Sequence, residues 1–143
     1  MTGTRIDNAH HVGRHVGVRR RIRDPDNPER FIGVAAEAFL PRDGDGGALS
    51  TGWLEFFNGT MEARAQSVLA SMGQQRTIRK HDVLGVVCAG LVRNIGLAQG
   101  RALDLIHDGV GYGCHAEITG LLPSDELIAG LLAQASESYP SRL

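Results

Sequence analysis

The sequence predicts an α+β domain: an antiparallel meander of about three to five strands carrying two amphipathic helices on one face. Three observations lead there. The segments 61–72 and 127–135 repeat their apolar residues at helical spacing. Between them, residues 82–122 hold alternating or β-branched runs separated by glycine-rich turns. A length of 143 residues, with 42% hydrophobic and 22% charged side chains, fits one core of ordinary size and excludes a disordered chain or a membrane span.

The elements follow in order. Residues 16–23 alternate weakly, with Val16, Val18 and Ile22 against Arg19, Arg21 and Arg23, as a half-exposed strand does. Pro25 and Pro28 end it, because each lacks a backbone donor and restricts the residue before it. Phe31 to Leu40 fits a short helix or a strand with Ile32, Val34, Ala36, Ala38 and Leu40 inward, the strand being favoured, and Asp43-Gly44-Asp45-Gly46-Gly47 reads as an exposed loop. Thr60 caps the first helix, Glu62 sits in its positive first turn, and Gly73 stops it. Ser50 is expected to cap the turn entering Thr51-Gly52-Trp53.

The segment 82–95 fits a helical face too. Gly85 and Gly90 would each cost a helix roughly 1 kcal/mol relative to alanine, and the β-branched content favours a long bulged strand. Strands over 101–107 and 114–122, joined by the turn 108–113, complete the meander. Ser124 caps the last helix, and the tail from Ser136 is expected to fray.

Fifteen basic and sixteen acidic residues give a net charge of −1, so no global field steers the chain to nucleic acid or an acidic membrane. The distribution is uneven. Residues 1–23 hold six arginines against Asp7 alone, which makes them a basic N-terminal arm or a first strand, with 24–143 as the single α+β body. Arg14, Arg19, Arg20, Arg21 and Arg23 are the candidate partner-binding residues. No aromatic stands between these arginines in sequence, which argues against stacking on single-stranded nucleic acid and leaves that partner weakly supported. Cys88 and Cys114 stand in no metal-ligand spacing and no leader segment is apparent, so a reducing cytoplasm is expected.

The sharpest candidate for chemistry is the set His107, Asp108, His115 and Glu117. If the strands flanking the 108–113 turn pair, two imidazoles and carboxylates could converge on one face and serve acid-base chemistry or part of a metal site. The competing reading is a solvated strand face. His115-Ala116-Glu117 matches half of a zinc-deaminase signature, but the downstream cysteine pair is missing. Asp43 to Leu54 fails as a calcium loop, because Leu54 stands where a carboxylate is needed. No cofactor or metal is expected.

Ala38-Phe39-Leu40-Pro41, then Leu49-Ser50, then His115-Ala116-Glu117-Ile118 occur in an order that resembles a loose group of small bacterial proteins with AFxP, LS and HAxI elements. The resemblance spans residues 16–135 and implies small accessory proteins of mobile or defence-related neighbourhoods, with no established activity and no catalytic residues to carry over. The favoured expectation is therefore a non-enzymatic accessory protein acting through a protein partner or as a homo-oligomer. The alternative is a small hydrolase or nucleic-acid-processing enzyme built on His107, His115 and Glu117.

Overall fold

The computed structural model describes residues 3–44 and 46–142. In chain order its elements are β1 (Thr4–Arg5), β2 (His11–Val16), β3 (Arg21–Arg23), β4 (Phe31–Val34), β5 (Ala48–Trp53), α1 (Met61–Met72), β6 (Val83–Cys88), α2 (Ala89–Ala98), β7 (Asp104–His107), β8 (His115–Thr119), α3 (Glu126–Ala135) and β9 (Glu137–Pro140). The α+β class holds, but the sheet is larger than expected: seven antiparallel strands in the order β1-β7-β8-β5-β2-β6-β9, with β3 and β4 as a separate hairpin. Among the described residues no helix is long and apolar enough to cross a membrane.

The extra strands come from segments whose pattern hides them. Strand β5 reads ALSTGW, small and polar residues that look like a turn until Leu49 and Thr51 are seen buried on one side. The tail does not fray: β9 pairs along β6 from Val83↔Pro140 to Val86↔Glu137. The basic residues 11–16 form β2, paired on both edges near the centre of the sheet.

The segment 82–95 is not one strand. It turns from β6 into α2 at Cys88, and its glycines serve close packing rather than extension. A Cβ on Gly90 would lie 3.0 Å from the Asn8 carbonyl oxygen, and one on Gly96 would lie 2.7 Å from Leu103 Cγ. The segment 31–40 likewise breaks, after Val34, into a 3-10 turn over Ala36–Phe39, and residues 18–20 form another such turn between β2 and β3.

The helices lie on opposite faces, not on one. Strand β6 is apolar on every residue and buried on both sides, as a central strand covered twice must be. Val83 and Val87 join the core beneath α2 and α3, together with Val12, Val16, Leu105, Ile118 and Leu132. Leu84 and Val86 face α1, whose Ala65, Val68, Leu69 and Met72 fill the second core. Thr60 caps α1 as expected, its hydroxyl accepting from Ala63 N at 3.1 Å. At α3 the capping residue is Asp125 rather than Ser124. Its carboxylate accepts from Leu122 N and pairs with Arg101, pinning the turn before the helix. The expected exposed loop 43–47 includes Asp45, which lies outside the described residues; Gly44, Gly46 and Gly47 all have positive φ.

One departure from regular pairing creates the site. Strands β2 and β5 pair only at Val12↔Trp53 and Gly13↔Gly52. Beyond that point β2 stays with β6 and β5 stays with β8, so the sheet opens between them. The Arg14 guanidinium lies in the opening, donating to Ser50 O at 2.8 Å and Ala38 O at 2.9 Å. It thereby satisfies a strand carbonyl that lost its ladder partner.

Candidate active site in the split of the sheet

The opening is a cleft of about 820 Å³, within the usual range for ligand pockets. Arg14, His15 and Gly17 line the β2 side, Ala48, Leu49, Ser50 and Glu117 the β5–β8 side. The turn after β2 adds Arg19 and Arg20, residues 76–79 add Arg76 and Arg79, and Arg42 closes the rim. Six arginines thus face two carboxylates, Glu117 and Asp82. Asp82 is already engaged, by His15 Nε2 at 2.8 Å and by Arg79 N at 2.8 Å. Arg19, Arg20, Arg76 and Arg79 make no side-chain hydrogen bond or ion pair among the described residues. Burial, then the neighbouring charges of Arg76, Arg20 and Arg42, lower the Arg14 pKa to about 10. The cleft concentrates positive charge.

On the β5–β8 wall, register sets the chemistry. Ser50 pairs with Glu117 and Gly52 with His115, so these four residues share the α1 face. His115 is buried at 8% exposure, and since Gly52 opposite has no side chain, its ring reaches diagonally to Ser50. His115 Nε2 lies 3.1 Å from Ser50 Oγ, and its Nδ1 lies 2.5 Å from Asp108 Oδ1. Ser50, His115 and Asp108 thus stand in the hydrogen-bonded order that a nucleophile, its base and an orienting carboxylate would need.

The turn holds this array rigidly. Asp108 Oδ1 also accepts from Val110 N, an Asx-type bond, while Asp108 N and Gly109 N both donate to His115 O. Gly109 and Gly111 adopt positive φ, which lets the chain return so tightly. Tyr112 folds edge-on against the His115 ring, with centroids 5.1 Å apart, and donates its hydroxyl to Thr51 O. Burial alone would raise the Asp108 carboxyl. The hydrogen bonds from His115 and Val110 and the charges of His115 and His107 outweigh it and hold the carboxyl below its ordinary value. With Asp108 ionised, Nδ1 carries the imidazole proton and Nε2 is left to accept from the Ser50 hydroxyl.

Of the candidates read from the sequence, Asp108, His115 and Glu117 come together, their ligand atoms all within 4.8 Å of one another, close enough to share a divalent cation. His107 does not join them. It pairs with Ala116, so its side chain takes the opposite face, where its Nε2 bonds Gly113 O and its ring packs on Trp53 and Phe56. A one-residue step along a strand reverses the face, and the expected meeting of the two imidazoles is corrected on that ground. Nor is His115 a solvated strand residue. The arginines also divide: Arg14, Arg19 and Arg20 line the cleft, while Arg21 and Arg23 sit on the β3–β4 hairpin. Cys114 is buried, which pushes its thiol up and keeps it protonated.

Ser50 is the residue that sequence reasoning missed. Its local pattern is alternation with Gly52 in a run that resembles a turn; its partner His115 stands 65 positions away, and Asp108, which bonds His115, 58. Comparison with protein-family models, with curated proteins and with solved structures finds no match to the chain.

Proposed function

We propose that this chain is a hydrolase acting on an ester of a phosphate-bearing substrate, with Ser50 as nucleophile, His115 as base and Asp108 as the group that orients His115. The carrying observation is the hydrogen-bonded series Ser50 Oγ, His115 Nε2, His115 Nδ1, Asp108 Oδ1, whose Ser50 end lines a cleft shared with six arginines. In the reaction, Ser50 Oγ attacks the substrate phosphorus and His115 Nε2 takes the hydroxyl proton. The bond to the leaving oxygen breaks, and that oxygen receives the proton from His115. Water then attacks the phosphoseryl ester, His115 again taking and returning a proton, and Ser50 is regenerated. Guanidiniums held in the cleft match the planar, doubly accepting edge of a phosphate and offset the charge gathering on its oxygens in the transition state.

This reading is preferred to docking on a protein partner because Arg14, Arg19 and Arg20 turn into the same cleft as Ser50 and Glu117. A charged tail offered to a partner would leave them outside it. The test combines two measurements. A chromogenic phosphodiester, a phosphomonoester and a carboxylic ester are assayed with wild type and Ser50→Ala, and a serine-reactive fluorophosphonate is mapped by mass spectrometry. Turnover lost in Ser50→Ala, with the label on Ser50, is expected. Turnover that survives Ser50→Ala but needs an added divalent cation would move the chemistry to Asp108, His115 and Glu117. No turnover and no label would remove the hydrolase reading.

A further inference from the structure

The cleft does not end the positive surface. Arg21 of β3 donates to the carbonyl of His81 at 2.9 Å, which ties the β3–β4 hairpin to the segment carrying Arg79 and Lys80. The basic lining of the cleft therefore continues along the hairpin through Arg21 and Arg23. No carboxylate lies within ion-pairing distance of either guanidinium among the described residues, and burial and then the charge of Arg23 lower the Arg21 pKa against the opposing pull of Asp82.

The hairpin supplies the aromatic that the sequence places elsewhere. Pairing sets Phe31 of β4 opposite Arg23, and both guanidiniums lie over its ring, Arg21 Cζ at 3.8 Å and Arg23 Cζ at 4.7 Å from the centroid. The contact holds two flexible cations on a flat apolar support at small entropic cost. Guanidinium planes and aromatic rings are surfaces on which unpaired bases stack, while the remaining N–H groups reach phosphate oxygens. Ile22 and Ile32 are exposed on the other side of the hairpin.

From this juxtaposition we propose that the substrate of the cleft is a single strand of nucleic acid, its backbone running from the arginines of the cleft to a base-stacking platform formed by Arg21, Phe31 and Arg23. The proposal rests on the hydrolase reading above for the fate of the strand, but not for its binding. A mononucleotide would fill the cleft and leave the hairpin cations without purpose. A duplex offers no unstacked base to the platform.

The test is fluorescence anisotropy with a labelled oligouridylate of about twelve nucleotides. Binding should weaken steeply with salt. Phe31→Ala, or Arg21→Ala with Arg23→Ala, should weaken it by roughly tenfold, the loss of one stacked base. Phe31→Leu keeps the apolar packing and removes the aromatic face, so it separates stacking from folding and should weaken binding similarly. Turnover of a small chromogenic phosphodiester should be unchanged in all three variants. If the small diester is cleaved while the oligonucleotide fails to bind, or binds with no dependence on the hairpin, the inference falls and the hydrolase reading stands. Equal hairpin-dependent binding of polyglutamate would also overturn it, showing a site for acidic polypeptide. Hairpin-dependent binding of the oligonucleotide with no Ser50-dependent cleavage would leave the strand site in place and sink the hydrolase reading instead.

Discussion

Ser50 Oγ lies 3.1 Å from His115 Nε2, although the two residues are 65 positions apart. Their meeting follows from the register of β5 and β8, which sets Ser50 opposite Glu117 and His115 opposite Gly52 on one face. It is exposed to ligand because β2 leaves β5 just beyond this point. The same break in pairing that opens the cleft thus presents Ser50 to it.

Replacing Ser50 by alanine removes the oxygen that bonds His115 Nε2 at the cleft wall, while the Tyr112 hydroxyl keeps its bond to Thr51 O. Melting temperature should change by little, and affinity for inorganic pyrophosphate should stay near wild type, since the arginines remain. Turnover of the phosphodiester should fall by about a thousandfold or more, the scale set by removal of a nucleophile that acts as a unit with its base. Steady-state assays beside calorimetry check both halves. A smaller loss with intact folding would mean that water, not Ser50, attacks.

The burial of Arg14, and then its crowding by Arg76, Arg20 and Arg42, has a consequence for stability whose sign can be worked out. A base lowered to about 10 in the folded state binds fewer protons there than when unfolded, so this site costs stability at neutral pH and recovers it as pH rises above about 10. An anion in the cleft reverses the effect. Pyrophosphate should raise the melting temperature, by an amount that shrinks as salt screens the charges. Arg76→Met should relieve repulsion, making the free protein slightly more stable while reducing the pyrophosphate-induced gain. Thermal melts with and without pyrophosphate at two salt concentrations measure it, and no shift on adding the anion would refute an anion site.

How far the sequence carries the fold depends on whether a pattern is local. Helix α1 is legible because Thr60, the apolar stripe and Gly73 all lie within one stretch. The turn 108–113 is legible from its glycines, and with it the approach of Asp108, His115 and Glu117. Strand β5 is not, because serine, threonine and glycine describe a turn equally well until their cross-strand partners are known. The two-sided burial of β6 is visible in hindsight in its unbroken apolar run, which the break at Cys88 and the helix after it obscured. The cleft itself is a gap between strands, and a gap has no residues of its own to read.

Gly52 links the sheet to helix α1. A Cβ there would overlap Val68 Cγ1 and crowd Met72 Cε and Cys114 Sγ. Valine has little freedom to turn aside, so α1 must shift or β5 must bend. Gly52→Ala should cost about 1–3 kcal/mol in urea unfolding, the usual range for an overfilled core. Because Ser50 stands two residues away on the same strand face, turnover should fall more than stability alone explains. A neutral substitution would show that the α1 face is loosely packed.

Asp108 gives the pH dependence. Its carboxyl is held below the ordinary carboxylate value, burial opposing and the bonds from His115 and Val110 N prevailing. A depressed folded value means stability that is present above the unfolded pKa and lost as pH falls through the folded one. The wild type should therefore lose stability progressively below about pH 4. Asp108→Asn, which cannot titrate, should lack that part of the acid limb and be the less stable protein at neutral pH, where the ionised partner of His115 is gone. Turnover at neutral pH should drop by about 10²–10⁴, because an amide no longer enforces a proton on Nδ1. KM should move little, since the arginines of the cleft carry the binding. Unfolding titrations over a pH series, set beside kcat and KM at neutral pH, read the two effects separately. An unchanged kcat would detach Asp108 from the reaction and leave it only the task of closing the turn.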